Sequence, residues 1–148
     1  MSLFALSDTH LSLSTDKPMD IFGSRWQQHD KRISEAWTET VGDGDTVVIA
    51  GDISWAMSMD DALTDLAYLD RLPGRKLIGR GNHDYWWGTV NKMKKFFVEQ
   101  HGLSTLEFLY NNAFEVGEFI VCGSRGWWGG EGLCPSGVDY GKIVAREA

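Results

Sequence analysis

Short apolar runs alternate along this chain with longer stretches whose apolar residues recur three and four positions apart, as when strands alternate with helices. Leu3-Phe4-Ala5-Leu6 predicts a buried strand, followed by a loop over about 7–23 with Pro18 inside it. Trp26, Ile33 and Trp37 fall near helical spacing and predict a helix over about 24–41. After the turn Gly42-Asp43-Gly44-Asp45, the run Thr46-Val47-Val48-Ile49-Ala50 predicts a second buried strand. Ala62, Leu63, Leu66 and Leu69 share one face of a helix over about 59–72, which Pro73-Gly74 stops. Arg75-Lys76-Leu77-Ile78 reads as a third strand, and a helix over about 89–100 ends at Gly102. Strands follow near 106–110, 113–116 and 119–122, then a glycine- and tryptophan-rich loop over about 123–137 and the start of a helix at 140–148. The alternation predicts an α/β fold, and 148 residues suffice for one domain around one core.

Composition narrows the function classes. No stretch approaches the roughly 20 apolar residues that cross a bilayer. The first apolar run is too short for a signal-peptide core and reaches a carboxylate at Asp8, so a cytoplasmic location with no membrane partner is expected. The net charge of −7 repels a nucleic-acid backbone. It leaves room for a small phosphorylated substrate, because bound cations reverse the local sign. Cys122 and Cys134 have neither CxxC spacing nor a secretory context, and are read as free thiols.

Candidate chemistry sits where the first three strands end. Their carboxyl ends carry Asp8-Thr9-His10, Gly51-Asp52 and Gly81-Asn82-His83-Asp84. In open α/β sheets this edge is the one that binds ligands. Asp, His and Asn donate oxygen and nitrogen suited to manganese, iron or zinc. Each motif alone is weak, since a glycine–aspartate pair after a strand is commonly a turn. Three clusters in one order, each behind an apolar run, carry more weight.

This order resembles the signature of calcineurin-like metallophosphoesterases. The neighbouring Gly51-Asp52-Ile53-Ser54-Trp55-Ala56, Arg80-Gly81-Asn82-His83-Asp84-Tyr85-Trp86-Trp87 and Arg125-Gly126-Trp127 point to a bacterial branch of uncharacterised phosphohydrolases. The resemblance implies a β-sandwich flanked by helices in αββα layers, and hydrolysis of a phosphomonoester or phosphodiester with two divalent metal ions (Mn, Fe or Zn). It implies that Asp8 and His10 hold the first metal, that Asp52 bridges both, and that Asn82 binds the second. His83 would stand beside the phosphoryl group as a catalytic residue, oriented by Asp84. It also implies a later histidine and a Gly-His-x-His motif that this sequence does not supply. Residues 1–148 are therefore expected to be the N-terminal portion of a metallophosphoesterase domain, C-terminally incomplete, with exposed apolar surface and a tendency to homo-oligomerise.

Other features keep two readings. The alternative to an enzyme is a non-catalytic binding or scaffold module that retains the fold; a nuclease using the same metals is a third. Trp55, Trp86, Trp87, Trp127 and Trp128 either wall a pocket or fill the core. Arg80 and Arg125 either clamp a phosphate or form surface ion pairs. His29 and His101 are read as exposed helix histidines, and Lys92, Lys94 and Lys95 as a solvated helix face.

Overall fold

The structure is a computed structural model that describes residues 1–126 and 136–147; Trp127, Trp128 and Cys134 lie outside the described residues. Strands β1 (Leu3–Leu6), β2 (Thr46–Ile49), β3 (Arg75–Gly79) and β4 (Leu106–Leu109) form one sheet in that order, every pair parallel. Between them run α1 (His29–Thr40), α2 (Met59–Asp70) and α3 (Val90–Met93), the last continuing as a π-helical segment, Lys94–Gln100. Each connection steps one strand in the same direction. Right-handed crossovers then put every helix over the same face of the sheet.

The side chains agree with that argument. Phe4, Leu6, Val47, Ile49, Ile78 and Phe108 alternate onto one face and share a core with Trp37, Leu66 and Phe97. Val48, Leu77 and Leu109 alternate onto the other face. They are covered by the hairpin of β5 (Asn112–Val116) and β6 (Phe119–Gly123), through Phe114, Val116 and Val121. Helices, parallel sheet and second β layer thus follow one another as the α/β class requires and as the first three layers of the αββα order do. A final helix, α4 (Tyr140–Glu147), closes the described chain.

The first helix departs from expectation. Its predicted start is a separate 3₁₀ turn, Ser24–Trp26, and Gln28 then adopts a left-handed backbone (φ 49°) before α1 begins at His29. Trp26 therefore leaves the helical stripe and turns toward the carboxyl edge of the sheet. Trp37 stays in the stripe, buried, with its Nε1 donating to the Pro73 carbonyl at 2.9 Å. In α2 the expected stripe holds, and Ser58 caps it by accepting from Asp61 N at 3.2 Å.

Lys76 is a fully buried lysine on the helix side of β3. Its Nζ donates to the carbonyls of Leu72 and Asp70 (3.2 Å to Asp70) and to Thr105 Oγ1 (3.0 Å). It thereby occupies carbonyls at the end of α2 that have no helical partner. Burial brings its pKa down to about 8, against the opposing pull of Asp70 and Asp43. The unfolded chain holds that proton up to its ordinary value of 10.5, so between about 8 and 10.5 the unfolded state binds more protons and folding gains stability as pH rises. Below 8 both states are protonated and the contribution is flat. Urea unfolding of wild type and Lys76→Met at pH 7 and pH 9.5 should show the wild type gaining on the variant at the higher pH. A stability difference that is constant with pH, or that shifts in the variant's favour at pH 9.5, would contradict this assignment.

Candidate metal centre

Asp8, His10 and Asp52 come together where β1 and β2 end. One potential ligand atom from each lies within 4.8 Å of the others. His10 Nε2 stands 3.6 Å from Asp8 Oδ1 and 3.9 Å from Asp52 Oδ2. Asp8 is exposed, whereas the side chains of His10 and Asp52 are each only 12% exposed, so the cluster opens to solvent on the Asp8 side. Two carboxylates at this spacing repel by about 1 kcal/mol if water screens them, and by roughly 3 kcal/mol at an effective dielectric near 20. A divalent cation removes that cost. His10 Nδ1 and His83 Nδ1 are also buried without a hydrogen-bond partner. The donor set therefore fits a divalent metal ion.

The backbone that aims these side chains is unusual. Asp8, His10 and Asp52 all take the left-handed conformation, at φ 56°, 42° and 50°. For non-glycine residues this costs about 1 kcal/mol or more each, and such strain collects at functional sites. What holds it is an extension of the β1–β2 ladder past the strands. Asp8 N donates to Gly51 O (3.0 Å), His10 N to Asp52 O (2.9 Å) and Leu11 N to Ile53 O (2.8 Å). Thr9, fully buried, adds Oγ1 to Ile53 O at 2.9 Å.

The β3 end is fastened to the β2 end by Asp84. Its Oδ2 accepts from Asp52 N (2.9 Å) and Gly81 N (2.8 Å). Its Oδ1 accepts from Ile53 N (2.8 Å), Ser54 N (3.3 Å) and Trp86 Nε1 (3.1 Å). Burial pushes this carboxyl above the usual range, the donors of Gly81, Ile53 and Ser54 pull it back, and the nearby Asp52 charge raises it again. With all five partners donating, the carboxylate is the form that fits. This corrects the expectation that Asp84 orients His83. Both Asp84 oxygens are taken elsewhere, and the His83 ring is set instead by Trp55 (centroids 5.0 Å apart) and Tyr85 (6.1 Å).

Backbones approach closely at the same place. A Cβ on Gly51 would fall 2.4 Å from Gly81 N, and one on Gly81 would fall 2.0 Å from Asp52 Oδ1. His83 N in turn donates to Asp52 Oδ1 at 2.9 Å, leaving Oδ2 toward His10. Asn82 lies exposed between Gly81 and His83 on this loop.

Several contributors escape a sequence reading. His29 is not an exposed helix histidine: it is half-buried, with Nδ1 3.2 Å from Trp26 O and Nε2 3.0 Å from Thr9 O. It ties α1 to the middle of the Asp8-Thr9-His10 segment. Asp65, fully buried on α2, accepts from Leu13 N (2.9 Å) and from Ser54 Oγ, binding the loops behind β1 and β2 to the helix layer. Burial raises its carboxyl and those two hydrogen bonds lower it. An aspartate at a position of the apolar stripe, between Ala62 and Leu69, was the available signal. The tryptophans divide. Trp55 stacks on His10 (4.9 Å, 20°) and donates to Met19 Sδ at 3.1 Å, while Trp86 and Trp87 are buried in the core. His101 is exposed, as expected, and so are Lys92, Lys94 and Lys95.

Two outcomes follow for the clamp. Asp84→Ala orphans five donors, at about 1–3 kcal/mol for each that water does not reach, and should lose more than about 3 kcal/mol in urea unfolding. His83→Ala, on the same loop, should lose less than about 1 kcal/mol; equal losses would remove Asp84 from the role. Gly81→Ala should weaken Mn²⁺ binding by roughly 10–100-fold in calorimetry through displacement of Asp52. Gly88→Ala, whose added carbon meets nothing closer than 3.7 Å, should leave it unchanged.

Comparison with known proteins adds to this geometry. Mycobacterium phage L5 has a Gene 66 protein 41% identical to this chain over 58 residues, and the Gene 66 protein of Mycobacterium phage D29 is 45% identical over 56 residues. Those alignments cover 39% and 38% of this chain and 28% of each phage protein, so the match spans well under half of these curated relatives. In fold, the chain is similar to the Aquifex aeolicus protein of unknown function AQ665, with a TM-score of 0.50 and 21% identity over 81% of this chain and 58% of that one. The calcineurin-like phosphoesterase profile matches residues 1–142. With nearly its whole length inside that profile, this chain belongs to the calcineurin-like phosphoesterase family.

Proposed function

We propose that this chain belongs to a metal-dependent enzyme that hydrolyses a small phosphomonoester or phosphodiester. One observation bears most of the weight: the ligand atoms of Asp8, His10 and Asp52 lie within 4.8 Å of one another at the carboxyl edge of the sheet. In this reading Asp8 and His10 would hold a first divalent ion, and Asp52 and Asn82 would contribute to holding a second. Bound divalent cations polarise the phosphoryl group and ease deprotonation of water near neutral pH. The chain does the rest. Asp84 fixes the Asp52 loop and is a positioning residue, and Trp55 restricts the His10 and His83 rings. His83 donates a proton to the departing oxygen. Histidine suits that task because it exchanges protons near neutrality.

The second reading is a binding module that retains the fold and binds metal without turnover.

Kinetics and metal titration together separate the readings. With Mn²⁺ bound, His83→Gln should retain metal affinity while slowing hydrolysis of an alkyl phosphate about 10²–10⁴-fold. It should slow hydrolysis of nitrophenyl phosphate far less, because that leaving group needs little protonation. Equal losses would refute proton donation, and lost metal would make His83 a ligand. Tight Mn²⁺ binding with no turnover of either ester would support the binding module.

A further inference from the structure

One indole ring joins the proposed metal centre to a loop that the hydrolytic reading leaves unused. Trp55 lies against His83 (centroids 5.0 Å apart) as well as against His10, and Lys17 Nζ stands over the same ring, 5.1 Å from its centroid. A single aromatic ring therefore separates this ammonium from both imidazoles.

The sequence around Lys17 fixes it there. Leu13 N donates to Asp65 Oδ1 (2.9 Å) and Ser14 Oγ to Asp61 O (2.5 Å), which fastens the loop to α2. Pro18 follows with φ −66°, and a residue before proline is held to extended backbone. Met19 is then buried, its Sδ accepting from Trp55 Nε1 at 3.1 Å. Anchored on both sides, Lys17 keeps an exposed side chain above the indole. The ring quadrupole attracts the cation, and that contact leaves the three N–H donors of the ammonium for an acceptor.

We infer that Lys17 is a specificity-determining residue that binds a carboxylate carried by the leaving alcohol, so that the substrate class is the phosphorylated hydroxy acids. In the hydrolytic reading, on which this assignment rests, His83 meets the departing oxygen. A leaving group at His83 lies beside Trp55, and extending it past that ring brings it to Lys17. Charged N–H donors there suit an anionic acceptor. One ammonium balances one negative charge. Asp16 and Asp20 flank Lys17 in sequence, in a chain of net charge −7, so a second phosphate with two charges would bring unbalanced charge into acidic surroundings. A carboxylate matches. An aromatic leaving group fits less well, because His10 already stacks on Trp55 and the newcomer would have to displace Lys17.

Calorimetry of the Mn²⁺-loaded chain with phosphonates tests this without turnover. Carboxyethylphosphonate is compared with propylphosphonate, and carboxybutylphosphonate with pentylphosphonate, each pair matched in length. In the wild type the carboxylate should tighten binding about 5-fold or more in at least one pair. Lys17→Met keeps an unbranched apolar stem and removes the charge; it should abolish that gain and leave the alkylphosphonates unchanged. Lys17→Arg should keep the gain. Lys92→Met, which removes an equal charge from an exposed helix face, should keep it too. No gain in either pair, a gain that survives Lys17→Met, or one lost equally in Lys92→Met would overturn the assignment and leave the hydrolytic reading intact. Alkylphosphonates that fail to bind with Mn²⁺ present would refute the hydrolytic reading itself, and the substrate class with it.

Discussion

Five donors converge on the buried carboxylate of Asp84, and through them the ends of β2 and β3 become one rigid piece. The site depends on that convergence because its ligands come from different strands. Asp52 and His83 keep their relation only while their loops do, and the Gly51–Gly81 contact leaves no space for any other packing. The β1 end then joins this piece through the continued backbone ladder and through Thr9. Left-handed backbone at three of the proposed ligands is the strain this network sustains.

Topology explains why the network has this location. A parallel sheet built by stepping one strand at a time sends every carboxyl end to the same edge and every helix to the same face. The helix face is then free to anchor the loops from behind. Asp65 does so from α2, and His29 does so from the start of α1. The opposite face has no helix from these crossovers and takes the β5–β6 hairpin instead.

The elements were legible because apolar runs of four or five residues cannot hide in a chain of this charge. The three motifs were legible because each directly follows such a run. What could not be read depends on contacts across the fold. Trp26 shares helical spacing with Ile33 and Trp37, yet a left-handed Gln28 separates them, and local pattern gives no warning of that turn. His29 is indistinguishable from a solvated helix histidine until Thr9 is brought beside it, 20 residues away in sequence. Asp84, next to His83 in sequence, reads as its partner. Its side chain turns inward because the loop behind β2 presents a row of N–H groups that only a carboxylate can satisfy.

By clamping strained loops at the sheet edge, the fold itself holds Asp8, His10 and Asp52 in the arrangement proposed to bind a divalent metal. Anomalous diffraction from crystals grown with Mn²⁺ tests it most directly. A peak is expected bonded to the Asp8 carboxylate, to His10 Nε2 and to Asp52, with all three residues still left-handed and Asp84 still bonded to Asp52 N. No peak at millimolar Mn²⁺, or one reached only after the loops rearrange out of that conformation, would contradict it.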